Sequence, residues 1–226
     1  MTWFLAASVV QPRAGPANPL NNEQLFDSVS VMVAMPMTLF GALEPTVAPT
    51  THFERITLDD TSWADVARDI LFGADSLFDS LVKELPFTQS RRLMYDRWVD
   101  EPRLSCGLEL SDAPSVVRSL ARAFTNTYGV VFDSCFVNYY RDGHDSVAWH
   151  SDRIGRSLLD PMVAIVSLGG PRRFGLRPKG GGRSRSFTLY SGDAIVMGGG
   201  CQHRFEHCVP KMTYAAPRLS LSFRHH

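Results

Sequence analysis

Short runs of β-branched and aromatic residues, each closed by Gly, Pro, Asp or Ser, fill the second half of this 226-residue chain and leave it few possible folds. The runs are Cys135–Tyr140, Met162–Leu168, Arg172–Leu176, Arg185–Tyr190, Ala194–Met197, Arg204–Val209 and Leu219–Phe223. Strands this short, separated by turn residues and not by helical stretches, specify an antiparallel sandwich or barrel. The first half reads differently. Trp63, Val66, Ala67, Ile70 and Leu71 fall at i, i+3, i+4, i+7 and i+8, which predicts a helix capped at Asp59, Asp60 or Thr61 and stopped at Gly73. Leu77, Leu81 and Leu85 make a second apolar face up to Pro86, and a third helix starts after Ser111-Asp112, with Pro114 in its first turn, and runs to about Tyr128 before Gly129. The expectation is α+β, with helices bracing a barrel.

Residues 1–35 carry several Pro and Asn and no periodicity, and are expected to be a loosely ordered extension. The remainder, 36–226, is expected to be a single domain, since 44% hydrophobic and 20% charged residues suffice for one core. No apolar run approaches the roughly 20 residues that span a bilayer. The apolar start Met1–Ala7 lacks the basic flank and long apolar stretch of a signal peptide. Four cysteines with no CxxC pair fit a reducing compartment, so the expected location is cytoplasmic and the expected state a monomer.

The zero net charge hides an asymmetry. Residues 1–90 hold four basic and eleven acidic side chains; residues 91–226 hold nineteen and twelve. A phosphate-bearing partner would meet the second half. Arg172, Arg173, Arg177, Lys179, Arg183 and Arg185 follow one another with no acid between them, around Gly180-Gly181-Gly182. Such a segment is either a phosphate-facing hairpin or a solvated one, and the first reading is preferred.

Chemistry concentrates at Trp149-His150-Ser151-Asp152. Residues two apart on extended backbone leave the same face, so His150 and Asp152 can converge. With one more imidazole they form a 2-His-1-carboxylate triad, which leaves three positions of an Fe(II) ion open. His203 and His207 are the candidates for the second imidazole. A zinc site built from Cys201, His203, His207 and Cys208 is disfavoured, because these residues crowd within eight positions of one strand. In Arg218-Leu219-Ser220-Leu221-Ser222-Phe223-Arg224 the alternate positions are Arg, Ser, Ser, Arg against an apolar back. Beside an iron triad, such a face reads as a clamp for a dicarboxylate.

These pieces together resemble the Fe(II)/2-oxoglutarate-dependent dioxygenases of the AlkB type. The resemblance rests on Pro102-Arg103-Leu104, Asn138-Tyr139-Tyr140-Arg141-Asp142-Gly143, His150-x-Asp152, Val166-Ser167-Leu168-Gly169 with Arg173-Phe174, Gly192–Met197, His207-Cys208-Val209-Pro210 and Arg218-x5-Arg224, in that order over roughly residues 85–226. It implies a double-stranded β-helix (jelly roll), with its core at about 130–226 and a nucleotide-recognition lid at about 86–110. It makes His150, Asp152 and His207 the iron ligands, and Asn138, Tyr140, Arg218, Ser220, Ser222 and Arg224 the 2-oxoglutarate contacts.

Met94, Tyr95, Arg103 and Arg177 become the substrate contacts, Tyr95 as a stacking wedge. The implied activity needs Fe(II), 2-oxoglutarate and O₂. It is oxidative demethylation of N-alkylated bases of the 1-methyladenine/3-methylcytosine type in DNA, single- or double-stranded, releasing formaldehyde, succinate and CO₂. RNA, tRNA or a protein is the alternative substrate, and a non-catalytic metal-binding jelly roll the alternative role. Two departures stand out. Ile154 occupies a position where many relatives carry an acid that touches the base, and Ser105-Cys106-Gly107 replaces an aromatic pair.

Overall fold

The structure is a computed structural model that describes residues 43–94, 96–152 and 160–225. Its strands are β1 (Thr46–Val47), β2 (Phe53–Thr57), β3 (Ser62–Ala67), β4 (Leu71–Phe72), β5 (Arg91–Met94), β6 (Arg97–Asp100), β7 (Leu104–Leu108), β8 (Ser134–Tyr140), β9 (Val147–His150), β10 (Val163–Gly169), β11 (Arg172–Pro178), β12 (Arg185–Leu189), β13 (Ala194–Gly199), β14 (Phe205–Val209) and β15 (Arg218–Arg224). Among the described residues three helices accompany them: α1 (Ala74–Glu84), α2 (Ser115–Tyr128) and the single turn α3 (Cys201–Arg204).

All strand pairings are antiparallel. The larger sheet runs β2-β3-β13-β10-β15-β8-β7 and the smaller β12-β11-β14-β9, with two-stranded pairs β1-β4 and β5-β6 beside them. These two sheets are the walls of a jelly roll, and alternation along the strands sorts the side chains between two cores. Val163, Ile165, Ile195 and Met197 of the larger sheet meet Phe174, Leu176, Phe205 and Val209 of the smaller one. Their neighbours Ala164, Val166, Leu168 and Val196 face away, into a cluster with Leu77 and Leu81 of α1 and Val117, Leu120 and Phe124 of α2. Each strand in the middle of the larger sheet is therefore buried on both faces.

The helices expected around Leu77–Leu85 and Pro114–Tyr128 are present as α1 and α2. The helix expected from Thr61 is not. Residues 62–67 form β3, between β2 and β13. Ala64 and Val66 point into the inter-sheet core and Trp63 and Ala67 into the helix-side core, so both faces are apolar and the period of two is lost. The i, i+3, i+4 spacing is what remains when a strand buries both faces. Gly73, expected to stop that helix, instead precedes α1 in the left-handed region (φ 65°). Among the described residues before α2, strands β1–β7 outnumber the one helix α1, contrary to the helical reading. Residues 1–35, Tyr95 and Ile154 lie outside the described residues.

Candidate active site

β15 runs between β10 and β8, and its register decides what faces the interior. Ser220 lies opposite Asn138 on β8 and Ser167 on β10, Ser222 opposite Phe136 and Ile165, and Arg218 opposite Tyr140. Opposed residues share a face. Leu219, Leu221 and Phe223 occupy the helix-side core, which sends the Arg, Ser, Ser, Arg set between the sheets. There, Asn138, Tyr140, Ser220, Ser222 and Arg224 line a cavity of about 170 Å³, with Phe136, Ile165, Phe174 and Val209 as its apolar walls.

His150, Asp152 and His207 line the same cavity. His150 ends β9 and faces His207 on β14 in direct register, next to a bulge between His207 and Val209. The two rings are 4.3 Å apart, and the ligand atoms of the three side chains lie within 4.8 Å of one another. His150 Nε2 is 3.9 Å from Asp152 Oδ1 and His207 Nε2 is 4.0 Å from Oδ2. The three side chains are grouped closely enough to hold one metal ion, and facial coordination would draw their donor atoms to about 3 Å from one another. His150 Nδ1 lies 2.9 Å from the Ala148 carbonyl, which can only accept. The proton is therefore on Nδ1, and Nε2 keeps its lone pair.

His207 stacks on Phe174 at 5.3 Å, and burial pushes its imidazole down to about 4, towards the neutral, metal-binding form. Burial alone would raise the Asp152 carboxyl, but His207, Arg224 and His150 outweigh it and hold it below the usual range. Arg224 Nη2 donates to Asp152 Oδ1 at 3.1 Å. His203 lies on α3, outside this grouping.

Arg218 does not reach the cavity lining. Its guanidinium sits 5.3 Å from the Tyr140 ring, and its Nε donates to Ser167 Oγ at 2.8 Å. Burial lowers its pKa to about 10, with Arg172 adding to the effect and Tyr140 opposing it. Its buried Nη1 has no partner among the described residues. A buried cation with an unused donor, beside a cavity lined by hydroxyls and Arg224, fits a dicarboxylate. Asn138 is oriented for the same task, because its Oδ1 accepts from Arg103 Nε at 2.9 Å and its amide donors are left for the cavity.

Outside the triad opens a larger cleft of about 510 Å³, which shares Arg103, Val147, His150, Asp152 and Val209 with the inner cavity. The β5–β6 hairpin forms one wall through Arg92, Val99 and Asp100. Arg103 therefore stands at the boundary between the two spaces, with Glu101 2.9 Å from its Nη2. Met94 ends β5 and pairs across the hairpin with Arg97.

Two cations expected to face a substrate are placed elsewhere. Arg177 is outside the cleft lining; its Nε binds Glu206 at 2.7 Å and its guanidinium lies 4.1 Å from the Trp149 ring. Arg172 is buried and donates to the carbonyl oxygens of Asp142, Asp145 and Pro210. These carbonyls flank the strands that carry His150 and His207, so Arg172 ties the two together. Lys179 Nζ donates to Gln202 O, and Lys179, Arg173, Arg183 and Arg185 are the exposed cations of that hairpin. A run of charges in sequence does not say which members turn inward.

Residues 81–224 match the model of a family described as the 2OG-Fe(II) oxygenase superfamily. The alpha-ketoglutarate-dependent dioxygenase alkB homolog 3 of Mus musculus is 27% identical over 249 aligned residues, which cover 97% of this chain and 86% of the relative. Its Homo sapiens counterpart is 28% identical over 177 residues, 67% of this chain but 61% of its own length. The human DNA oxidative demethylase ALKBH2 is 27% identical over 189 residues, 71% and 72% of the two chains. The solved structure of OsALKBH1 superposes with a TM-score of 0.55 at 16% identity, covering 76% of this chain and all of that one, which shows the fold.

Proposed function

The chain belongs to the 2OG-Fe(II) oxygenase superfamily, in its AlkB-type branch, and is a dioxygenase that uses Fe(II), 2-oxoglutarate and O₂; on that premise we propose that it demethylates N-methylated bases in DNA. The observation that carries the reading is the pair of compartments that meet at His150 and Asp152: a small cationic cavity inside and an open cleft outside. A co-substrate and a much larger substrate can then approach one metal from opposite sides.

When bound, Fe(II), 2-oxoglutarate and O₂ supply the oxidation, in which succinate and CO₂ leave and the N-methyl carbon is hydroxylated, then lost as formaldehyde with the base restored. The chain's own residues supply the geometry. Ser220, Ser222, Asn138 and Tyr140 orient the diacid, and Arg218 and Arg224 balance its charge. Phe174, Ile165 and Val209 keep water from the cavity. Arg224 also holds Asp152 in place, so the carboxylate meets the metal in a fixed orientation.

A base must leave its stack to enter the cleft, at a cost of a few kcal/mol. We assign the lid to the β5–β6 hairpin, one face of which lines the cleft through Arg92 and Val99 while Trp98 is exposed and offers an aromatic ring on which a base can stack. The test is incubation of the chain with Fe(II), 2-oxoglutarate and oligonucleotides carrying 1-methyladenine or 3-methylcytosine, in DNA and RNA, read by mass spectrometry. Loss of one methyl group from DNA, dependent on 2-oxoglutarate, is the expected result. Steady consumption of 2-oxoglutarate with every lesion left intact would sink the proposal.

A further inference from the structure

We infer that Glu101 is the side chain by which the cleft selects positively charged methylated bases, an inference that rests on the demethylase reading above. Methylation at N1 of adenine or N3 of cytosine leaves the base cationic with an exocyclic N–H donor, whereas 3-methylthymine is neutral. A cleft that prefers the first kind needs a fixed carboxylate within it.

Two carboxylates besides the metal set line the cleft, Asp100 and Glu101. Asp100 is 60% exposed and paired with Arg91. Glu101 is different. Its side chain is 23% exposed, and its backbone is pinned three ways: its N–H donates to Ser90 O at 2.8 Å, and its carbonyl accepts from Arg103 N at 2.8 Å and from Gln89 Nε2 at 3.0 Å. Its Oε2 pairs with Arg103 Nη2 at 2.9 Å.

Arg103 cannot turn away to serve a substrate, because its Nε is committed to Asn138 Oδ1 at 2.9 Å. It acts as a positioning residue, holding Glu101 by one oxygen and leaving Oε1 for a ligand in the cleft. A carboxylate immobilised before the substrate arrives interacts more strongly with a cation than one that must be ordered on binding. The same Arg103 ties Glu101 to Asn138 in the inner cavity, so the two compartments share a fixed wall.

The test uses Glu101→Gln, which keeps an acceptor for Arg103 and removes the charge. The full chain with Fe(II) and 2-oxoglutarate is assayed on single-stranded oligonucleotides carrying 3-methylcytosine, 1-methyladenine or 3-methylthymine, and without any lesion. The expected result is a loss of about tenfold or more in kcat/KM on both cationic lesions. Turnover of 3-methylthymine and lesion-free consumption of 2-oxoglutarate should stay within about twofold, as a merely structural residue would not allow. A proportional loss on charged and neutral lesions, or no loss on the charged ones, overturns the inference and leaves the demethylase reading standing. A wild type that consumes 2-oxoglutarate but clears no lesion overturns both.

Discussion

Arg218 isolates the tension between stability and function in a single side chain. An unpaired guanidinium in the interior is expensive, and a hydrophobic residue of similar length removes that penalty. Arg218→Met is therefore expected to leave the thermal midpoint unchanged or raised, while KM for 2-oxoglutarate climbs about tenfold as a buried positive charge beside the cavity is lost. Thermal denaturation and a co-substrate titration on one preparation check both halves. Asp145 behaves in the opposite sense. Burial pushes its carboxyl up, but the hydrogen bonds and charge of Arg141, together with Arg172, outweigh this and hold it below the usual range. The folded chain thus binds that proton more weakly than the unfolded chain, so the stabilisation is full above about pH 4 and is lost as the pH falls from there to the folded value. Midpoints measured between pH 3 and 6 should show Asp145→Asn less stable than wild type near pH 6, with the gap closing towards pH 3.

At the scale of elements, β3 and β13 pack so closely that one methyl group matters. A Cβ on Gly198 would lie 2.2 Å from Trp63 Cζ2, across the pair in which the two residues stand opposite each other. Gly198→Ala should destabilise the fold by about 1–3 kcal/mol, or more if the indole cannot shift, as read by chemical denaturation. The same strand marks where sequence reasoning ends. The strands β8 and β10 to β15 were legible because turn residues bracket them, and α1 and α2 because one face of each is polar. β3 was not, since a strand covered on both sides shows no alternation, and its apolar spacing passes for a helix. In the site, His150 with Asp152 and the alternating Arg218–Arg224 face were legible from spacing alone, whereas the choice of His207 over His203 leaned on the family pattern. Glu101 gave no signal beyond its place next to Pro102-Arg103, and what marks it is its set of partners, which only the folded backbone assembles.

For the whole molecule, the charge imbalance between the two halves becomes a surface property only after the buried cations are set aside. Of the six cations in the β11–β12 hairpin, Arg173, Lys179, Arg183 and Arg185 face solvent. Replacing Arg183 and Arg185 with Ala is expected to weaken oligonucleotide binding and flatten the slope of log K against log salt by about 0.7–0.9 for each phosphate contact removed. Binding isotherms at several salt concentrations check this, and an unchanged slope would take the hairpin out of the footprint. The central position of β15 has a further consequence. Its outward residues hold the helices and its inward ones meet the diacid, so any change in the molecule consumed disturbs the middle of the larger sheet. The outer cleft is walled instead by a peripheral hairpin and by the ends of strands, where substitutions touch little else. A protein built this way can acquire a new target while its oxidative chemistry stays fixed, because the two specificities are written on parts of the chain with very different freedom to vary.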